Sequence, residues 1–363
     1  MLDTFRGRTV LLTGHTGFKG SWLSVWLREL GADVVGIALD PLSQPSHFEV
    51  AHLADGLVDR RVDIRDKAAL AEALGSAQPD FVFHLAAQPL VRQSYADPVQ
   101  TYQTNVLGTL HLLEALRTLE KPCVAVLVTS DKCYDNAEWV WGYRETDRLG
   151  GPDPYSASKA AAELVIQSHV RSFFSSDANR VRIGIGRAGN VIGGGDWSAD
   201  RLIPDCVRAW SRDEAVALRN PNATRPWQHV LEPLGGYLVL AAALSCRPEL
   251  HGEPFNFGPP QNQNHTVLAL VQQMARHWDQ VRWQLVPEHT TTHHESGLLK
   301  LNCDKALQHL QWRAVLGFDD TVQLTAEWYR TYYAEPERIA DVTRRQVREY
   351  MARAAHQQEA WAQ

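Results

Sequence analysis

Tyr155 and Lys159 stand four residues apart in the run YSASK, at the start of a predicted helix. Positions i and i+4 share one helix face, so the ammonium can approach the phenol and a ligand bound beside both. A free tyrosine ionises at about pH 10. A fixed neighbouring cation favours the phenolate and makes tyrosine usable as a base near neutrality. Taken alone, the spacing fits a helix-capping tyrosine followed by a solvated lysine equally well. A second set of reactive side chains precedes it: Thr129-Ser130-Asp131-Lys132-Cys133-Tyr134 continues the apolar run of residues 124–129. Where strands alternate with helices, the carboxyl ends of the strands face the ligand crevice, and Ser130, Asp131 and Lys132 would project into it. Read alone, Asp131 beside Lys132 is a salt-bridging turn; at a strand's carboxyl end the two are an acid and a base in one crevice.

Gly14, Gly17 and Gly20 form GHTGFKG between the first predicted strand and the first predicted helix. In a dinucleotide site, the first glycine permits the tight turn and the second lets backbone approach the pyrophosphate. The third lets helix pack on strand, and the phosphates then meet the free N–H groups of the helix N-terminus. Asp40 closes the second strand about 20 residues on, where a carboxylate can bond both adenosine ribose hydroxyls. It would repel a 2′-phosphate, so NAD is expected rather than NADP. The alternatives are a flexible strand–helix turn for the glycines and a turn residue for Asp40.

Strand-like runs at 9–13, 34–39, 81–87, 124–129 and 181–187 alternate with helical periodicity at 18–30, 106–119 and 156–173. This rhythm predicts an α/β fold, a Rossmann-type doubly wound parallel sheet. After about residue 190, clustered glycines and a proline- and tryptophan-bearing stretch at 220–227 break it. The expected organisation is a dinucleotide-binding domain over 1–189 with later segments such as 226–256. A smaller, loop-rich substrate lobe spans mainly 190–334, and 335–363 reads as a peripheral tail helix without a core face. Arg201, Arg219 and Arg225 punctuate the second lobe and can close on a diphosphate with charge-assisted bonds, or lie on the surface.

The 363 residues carry 36 Lys plus Arg against 42 Asp plus Glu, a net charge of −6, with 44% hydrophobic and 21% charged residues. That composition fits an ordered globular protein and gives no basic footprint for nucleic acid. The five cysteines are scattered without a CxxC pair, so neither a disulfide frame nor a zinc ribbon is expected, and a reducing, cytoplasmic location is. No secretory signal is visible, and the longest apolar stretch, near 237–243, falls short of the ~20 residues of a membrane span. His289, His293 and His294 cluster in a loop that reads as polar and substrate-facing rather than as a metal site. Most of the twelve tryptophans are expected in core or interface positions.

Essentially the whole chain from Gly7 resembles the extended short-chain dehydrogenase/reductase superfamily and, within it, the CDP-glucose 4,6-dehydratases. The glycine run and YxxxK are superfamily features. Longer strings are similar to the subgroup: GHTGFKGSWLS, LAAQPLVRQSY, TSDKCYDN, EWVWGYRE, RAGNVIGGGDW, RLIPD and RPWQHVLEPLGGY. The resemblance implies NAD in the first domain and CDP-glucose in the second lobe. The implied product is CDP-4-dehydro-6-deoxy-D-glucose, a precursor for deoxysugars such as those of lipopolysaccharide O-antigen. It implies Tyr155 as base at the C4 hydroxyl, Lys159 as its cationic partner and ribose ligand, Ser130 at the C4 oxygen and Asp131 as acid for the C6 hydroxyl.

The dTDP-glucose dehydratases carry Asp-Glu where this chain has Asp131-Lys132, so the C5 base is left between Lys132 and another group. The resemblance also places Thr16, Phe18, Asp63, Ile64, Leu85, Ala86, Ala87 and Thr104 at the NAD, and Gln88, Asn190, Arg201, Arg219 and Arg225 at the substrate. Dimers or tetramers built on a four-helix bundle are implied, with no metal. Rival readings are a sugar-nucleotide 4-epimerase, which needs no acid for a C6 hydroxyl, and a non-catalytic NAD-binding sensor.

Overall fold

Short runs rich in valine, isoleucine and leucine become strands buried on both faces, as a sheet covered by helices on each side requires. A computed structural model describes residues 1–363 except 177–178, 200, 219, 261–262 and 287–297. Arg219, His289, His293 and His294 therefore lie outside the described residues. The strands are β1 (Thr9–Thr13), β2 (Asp33–Ala38), β3 (Val58–Arg61), β4 (Phe81–His84), β5 (Cys123–Val128), β6 (Val181–Ala188) and β7 (Pro254–Phe257). They form one seven-stranded sheet in the order β7-β6-β5-β4-β1-β2-β3, every pairing parallel. This is the doubly wound architecture the sequence rhythm predicts. The strand β3 was not singled out in the sequence, because it is a sheet edge of half-exposed and exposed residues, VDRR. The order reverses between β1 and β4, which is where such sheets open their ligand crevice.

The helices that matter for the site are α1 (Phe18–Glu29), α2 (Lys67–Ala77), α3 (Gly108–Leu116) and α4 (Pro154–Phe173). The predicted helix at 106–119 is divided: residues 103–107 wind as a π-turn before α3 begins. Later come α5 (Leu202–Trp210), α6 (Leu231–Cys246), α7 (Phe318–Ala334) and α8 (Ile339–His356). The apolar α6 packs on β5 and β6, and β7 completes the sheet, so residues 231–257 return to the first layer. The second lobe is stitched by two-stranded pairings: 191–192 with 228–229, 224–225 with 265–266, and 216–218 with 283–285.

The tail helix α8 does have a core face, contrary to the sequence reading. Ile339, Val342, Thr343, Gln346, Val347, Tyr350 and Ala354 are buried at helical spacing, and α8 packs on α1 and α7. Polar residues on that face hide its periodicity. Thr343 accepts from Trp328 Nε1 at 2.9 Å, Gln346 donates to Leu324 O at 2.9 Å, and Tyr350 donates to Glu232 at 2.8 Å. Among the twelve tryptophans, Trp139 and Trp141 are exposed, whereas Trp22, Trp26, Trp210, Trp312, Trp328 and Trp361 are fully buried.

Glu232 joins three elements. It is fully buried on the first turn of α6 and accepts from Val315 N at 3.0 Å, Leu316 N at 2.6 Å and Tyr350 Oη at 2.8 Å. Burial, only partly opposed by those donors, pushes its carboxyl up from 4.5 to about 7. Between these values the folded protein binds the proton that the unfolded chain has released. Glu232's contribution is therefore complete below the unfolded value and is lost as pH rises to about 7. Glu232→Gln is expected to flatten that slope, on the order of a few kcal/mol in total. Urea unfolding of both proteins from mildly acidic to mildly alkaline pH checks it; an unchanged slope refutes the assignment.

Candidate active site

The glycine run closes the strand β1 and opens α1. Gly14 has φ +78° and a Cβ there would lie 2.8 Å from Ala86 N; a Cβ at Gly20 would overlap the Gly14 carbonyl oxygen. Gly17 is the N-cap residue of α1, and no side chain caps that end. The result is a turn with no room for side chains, facing bare helix N–H groups, which suits a pyrophosphate. Thr13 ties the two sides of the crevice together: its hydroxyl oxygen accepts from Leu85 N at 3.2 Å and Ala86 N at 3.1 Å, and it meets His84 Nδ1 at 2.8 Å. Burial brings His84 down to about 3, so it is neutral.

The structure places the remaining residues expected at the cofactor as follows. Thr16 Oγ1 donates to Leu39 O at 2.9 Å, and Phe18 opens α1 half-buried. Asp40 lies two residues beyond β2, its side chain 91% exposed and 3.6 Å from Arg61 Nε. Arg65 grips Asp63 with two nitrogens and holds its carboxyl below the usual range. Ile64 is buried in the space a Cβ at Gly108 would fill. Ala87 is half-buried after β4, and Thr104 is half-buried in the π-turn.

The helix α4 presents Tyr155 and Lys159. Asp153 caps it, accepting from Ser156 N at 2.9 Å, and Pro154 occupies the first turn, where no N–H is needed. Tyr155 N donates to Ser94 Oγ at 3.1 Å, and Ser158 is anchored to Asn105 at 2.8 Å. Both reactive side chains are buried. The sequence-based expectation that Lys159 lowers the phenol is not met in the ligand-free site. Burial pushes Tyr155 up to about 12, and the downward influences are the Ser130 hydroxyl and Arg201. Burial also brings Lys159 down to about 8.

Ser130 caps a single 3₁₀ turn, Asp131–Cys133, accepting from Lys132 N at 3.2 Å and donating to Asp131 Oδ1 at 3.0 Å. Asp131 is buried, and desolvation raises its carboxyl above the ordinary range against the pull of Lys132, Ser130 and Lys19. Gly189, at the end of β6, leaves the space beside it open: a Cβ there would stand 2.9 Å from Asp131 Oδ2. Asn190 follows, exposed. Arg201 is paired with Asp196 at 3.1 Å and acts electrostatically on Tyr155. Arg225 sits on the short strand at 224–225, donating to Thr224 O at 2.8 Å. The Gln88 side chain is engaged within the fold, donating to Thr101 at 2.9 Å and accepting from Leu90 N at 2.6 Å.

One charged residue was overlooked in the sequence. Lys19 lies inside the glycine run, its ammonium 5.9 Å from the Tyr237 ring centroid and within electrostatic reach of Asp131, Lys159 and Arg201. Burial brings it down to about 8. The signal was a lysine between two glycines on a helix turn that otherwise packs inward.

The family of GDP-mannose 4,6-dehydratases matches residues 11–325. A CDP-glucose 4,6-dehydratase from Salmonella typhimurium is 46% identical over 353 residues, covering 96% of this chain and 97% of that protein. A UDP-glucose 4-epimerase from Mycoplasma pneumoniae is 24% identical over 339 residues, covering 89% and 97%. In fold, the chain is similar to the UDP-glucose 4-epimerase of Stenotrophomonas maltophila, solved with bound NAD and formylated UDP-arabinopyranose. The TM-score is 0.78 at 22% identity, over 90% of this chain and 99% of that one.

Proposed function

From a chain that belongs to the GDP-mannose 4,6-dehydratase family, we propose an NAD-dependent lyase that converts CDP-D-glucose to CDP-4-dehydro-6-deoxy-D-glucose and water. The observation that carries the reading is the 46% identity to a CDP-glucose 4,6-dehydratase along 96% of the chain. The crevice supports it, because Asp131 adds to the Tyr155–Lys159 pair an acid that C4 oxidation alone does not need.

The glycine turn at Gly14, Gly17 and Gly20, with Thr16, Phe18, Asp40, Asp63, Ile64, Leu85, Ala86, Ala87 and Thr104, holds NAD. When bound there, NAD would supply a hydride acceptor for C4, a hydride donor for C6 and a positive charge in the crevice. Tyr155 takes the proton of the C4 hydroxyl, and Ser130 bonds the C4 oxygen. Lys159 holds the ribose and keeps a cation near the phenolate. Once C4 is a ketone, the C5 hydrogen is acidic. Asp131, whose carboxyl burial raises above its ordinary range, gives its proton to the C6 hydroxyl, which leaves as water. Lys132, next in the chain, stabilises the enolate or takes the C5 proton, and a proton returns to C5 when C6 regains hydride. Gln88, Asn190, Arg201, Arg219 and Arg225 serve the nucleotide sugar. Residues 1–189 and 226–256 act as the NAD domain and the rest of 190–334 mainly as the substrate lobe.

A homodimer or homotetramer in the cytoplasm completes the reading. Leu164 and Phe173 on α4 are 58% and 48% exposed, and Leu107 before α3 is 44% exposed, an apolar face suited to a second copy. No helix among the described residues is long and apolar enough to cross a membrane. The test offers CDP-, dTDP-, UDP- and GDP-hexoses to the purified protein, with and without added NAD. Loss of one water in mass from CDP-glucose alone is expected. Conversion without change of mass would mean 4-epimerase chemistry, and no turnover of any hexose would favour the non-catalytic sensor.

A further inference from the structure

The 3₁₀ turn that carries Asp131 and Lys132 is a single turn, capped by Ser130 and tied to the loop after it by Gly150 N to Cys133 O at 2.8 Å. Its internal bonds are long, Cys133 N to Ser130 O at 3.2 Å and Tyr134 N to Asp131 O at 3.3 Å. Each end, however, is fixed by a buried polar network. Before the turn, Thr129 Oγ1 donates to Glu163 Oε1 at 2.5 Å. Glu163 stands one helical turn beyond Lys159 on α4 and is bidentate with Arg187 of β6, Nε to Oε1 at 2.8 Å and Nη2 to Oε2 at 2.9 Å. Both side chains are fully buried. After the turn, Tyr134 Oη accepts from Arg187 Nη1 at 2.8 Å and donates to Asn256 Oδ1 of β7 at 2.8 Å. Asn256 in turn donates to Tyr143 O at 2.9 Å and Asn302 O at 3.1 Å. The Tyr143 ring stacks on that of Tyr134, centroids 5.1 Å apart.

We propose that Tyr134, Arg187, Glu163 and Asn256 are positioning residues for the elimination half of the reaction, which they serve by clamping the segment that bears Asp131 and Lys132. The two ends of the clamp act on different chemistry. Tyr155 and Lys159 are carried by a capped helix of 20 residues with its own ties to Ser94 and Asn105. None of those ties runs through Tyr134. Asp131 and Lys132 stand three and two residues before the Tyr134 anchor, on a single turn whose internal backbone bonds are 3.2 and 3.3 Å long. Loosening that anchor misplaces the acid that protonates the C6 hydroxyl and the group facing C5, whereas Ser130, at the far end beside the Thr129–Glu163 tie, keeps its place and C4 oxidation continues. A displacement of about 1 Å at reacting groups costs roughly 10²-fold in rate.

This inference rests on the dehydratase reading, and its test separates the two. Wild-type protein and Tyr134→Phe, each loaded with NAD, are mixed with CDP-glucose. Phenylalanine keeps the stacked ring and removes only the oxygen shared by Arg187 and Asn256. Three quantities are followed: the near-ultraviolet absorbance of reduced nicotinamide, exchange of the C5 hydrogen with deuterated water, and release of the dehydrated sugar. The variant is expected to oxidise C4 within about threefold of wild type, while elimination and C5 exchange fall roughly 100-fold. Reduced cofactor and the 4-keto sugar then accumulate, their electrons balanced because the hydride taken from C4 has no acceptor at C6. Independently of turnover, amide exchange in the ligand-free variant should quicken across residues 131–134 and stay unchanged at Ser130 and at the start of α4. Asn256→Ser, which withdraws the acceptor from Tyr134, carries the same expectations should Tyr134→Phe not fold. Oxidation and elimination that fall together, or neither falling, would overturn the clamp. A wild-type protein that makes no dehydrated product would take down the functional reading and this inference together.

Discussion

Tyr155→Phe is expected to stop the reaction at its first step. Turnover of CDP-glucose should fall by about 10³-fold, near the middle of the range for removing a positioned acid–base group. That corresponds to about 4 kcal/mol of transition-state stabilisation. No reduced nicotinamide and no 4-keto sugar should appear, because the ketone cannot form until the C4 hydroxyl loses its proton. Substrate affinity should stay within a few-fold, since the phenol's contribution is made mainly as the proton moves. The phenol's environment makes the effect large. Burial holds it at about 12 in the ligand-free site, with Ser130 and Arg201 pulling it down. Its phenolate form, which those two partners favour, is the acceptor the C4 proton needs, and phenylalanine has none. Stopped-flow absorbance and equilibrium binding of CDP-glucose are the measurements. Reduced cofactor forming at the wild-type rate would remove Tyr155 from the first step.

The sheet was legible in the sequence because buried parallel strands leave continuous apolar runs, as at Val124–Val128, and because glycines mark the turn after β1. The edge strand β3 and the buried face of α8 were not. An edge strand has no continuous apolar run to show, and α8 buries Thr343, Gln346 and Tyr350 through hydrogen bonds rather than hydrophobicity alone. The same blindness applies at the site. Tyr155, Lys159, Ser130 and Asp131 stand out as candidates from spacing and strand-end position, which are one-dimensional facts. The state of the phenol was not, since it is set by burial and by Ser130 and Arg201, which no spacing reveals. Glu163 and Arg187 come from α4 and β6 and meet only in the fold. Their charges, read along the chain, look like any helix glutamate and strand arginine. Lys19 was visible but taken as part of the glycine motif.

Asp131→Asn is expected to divide the reaction differently from the loss of Tyr155. The amide is nearly isosteric, can still accept from Ser130 Oγ, now 3.0 Å from Oδ1, and fits the space left by Gly189. What it lacks is an acidic proton. Oxidation at C4 should continue at close to the wild-type rate, and loss of the C6 hydroxyl should slow by 10²–10⁴-fold, the span for general acid catalysis. Reduced nicotinamide then accumulates to the concentration of enzyme sites and decays slowly. The pH dependence has a definite sign. Burial raises the Asp131 carboxyl above its ordinary range, so elimination by the wild type should fall as pH rises through that raised value, and the variant should show no such limb. The hydrogen at C5 decides the order of events. If Asp131 serves only the leaving hydroxyl, the 4-keto sugar held in the variant should still exchange its C5 hydrogen with deuterated water, because Lys132 and the ketone are untouched. Exchange at the wild-type rate with elimination blocked means a stepwise path through an enolate. Exchange lost together with elimination means that C5–H and C6–O break in one event, with Asp131 needed for both. Elimination that proceeds unhindered in the variant would move the acid's role to another group in the crevice, with Lys19 the nearest unassigned candidate by its electrostatic reach to Asp131.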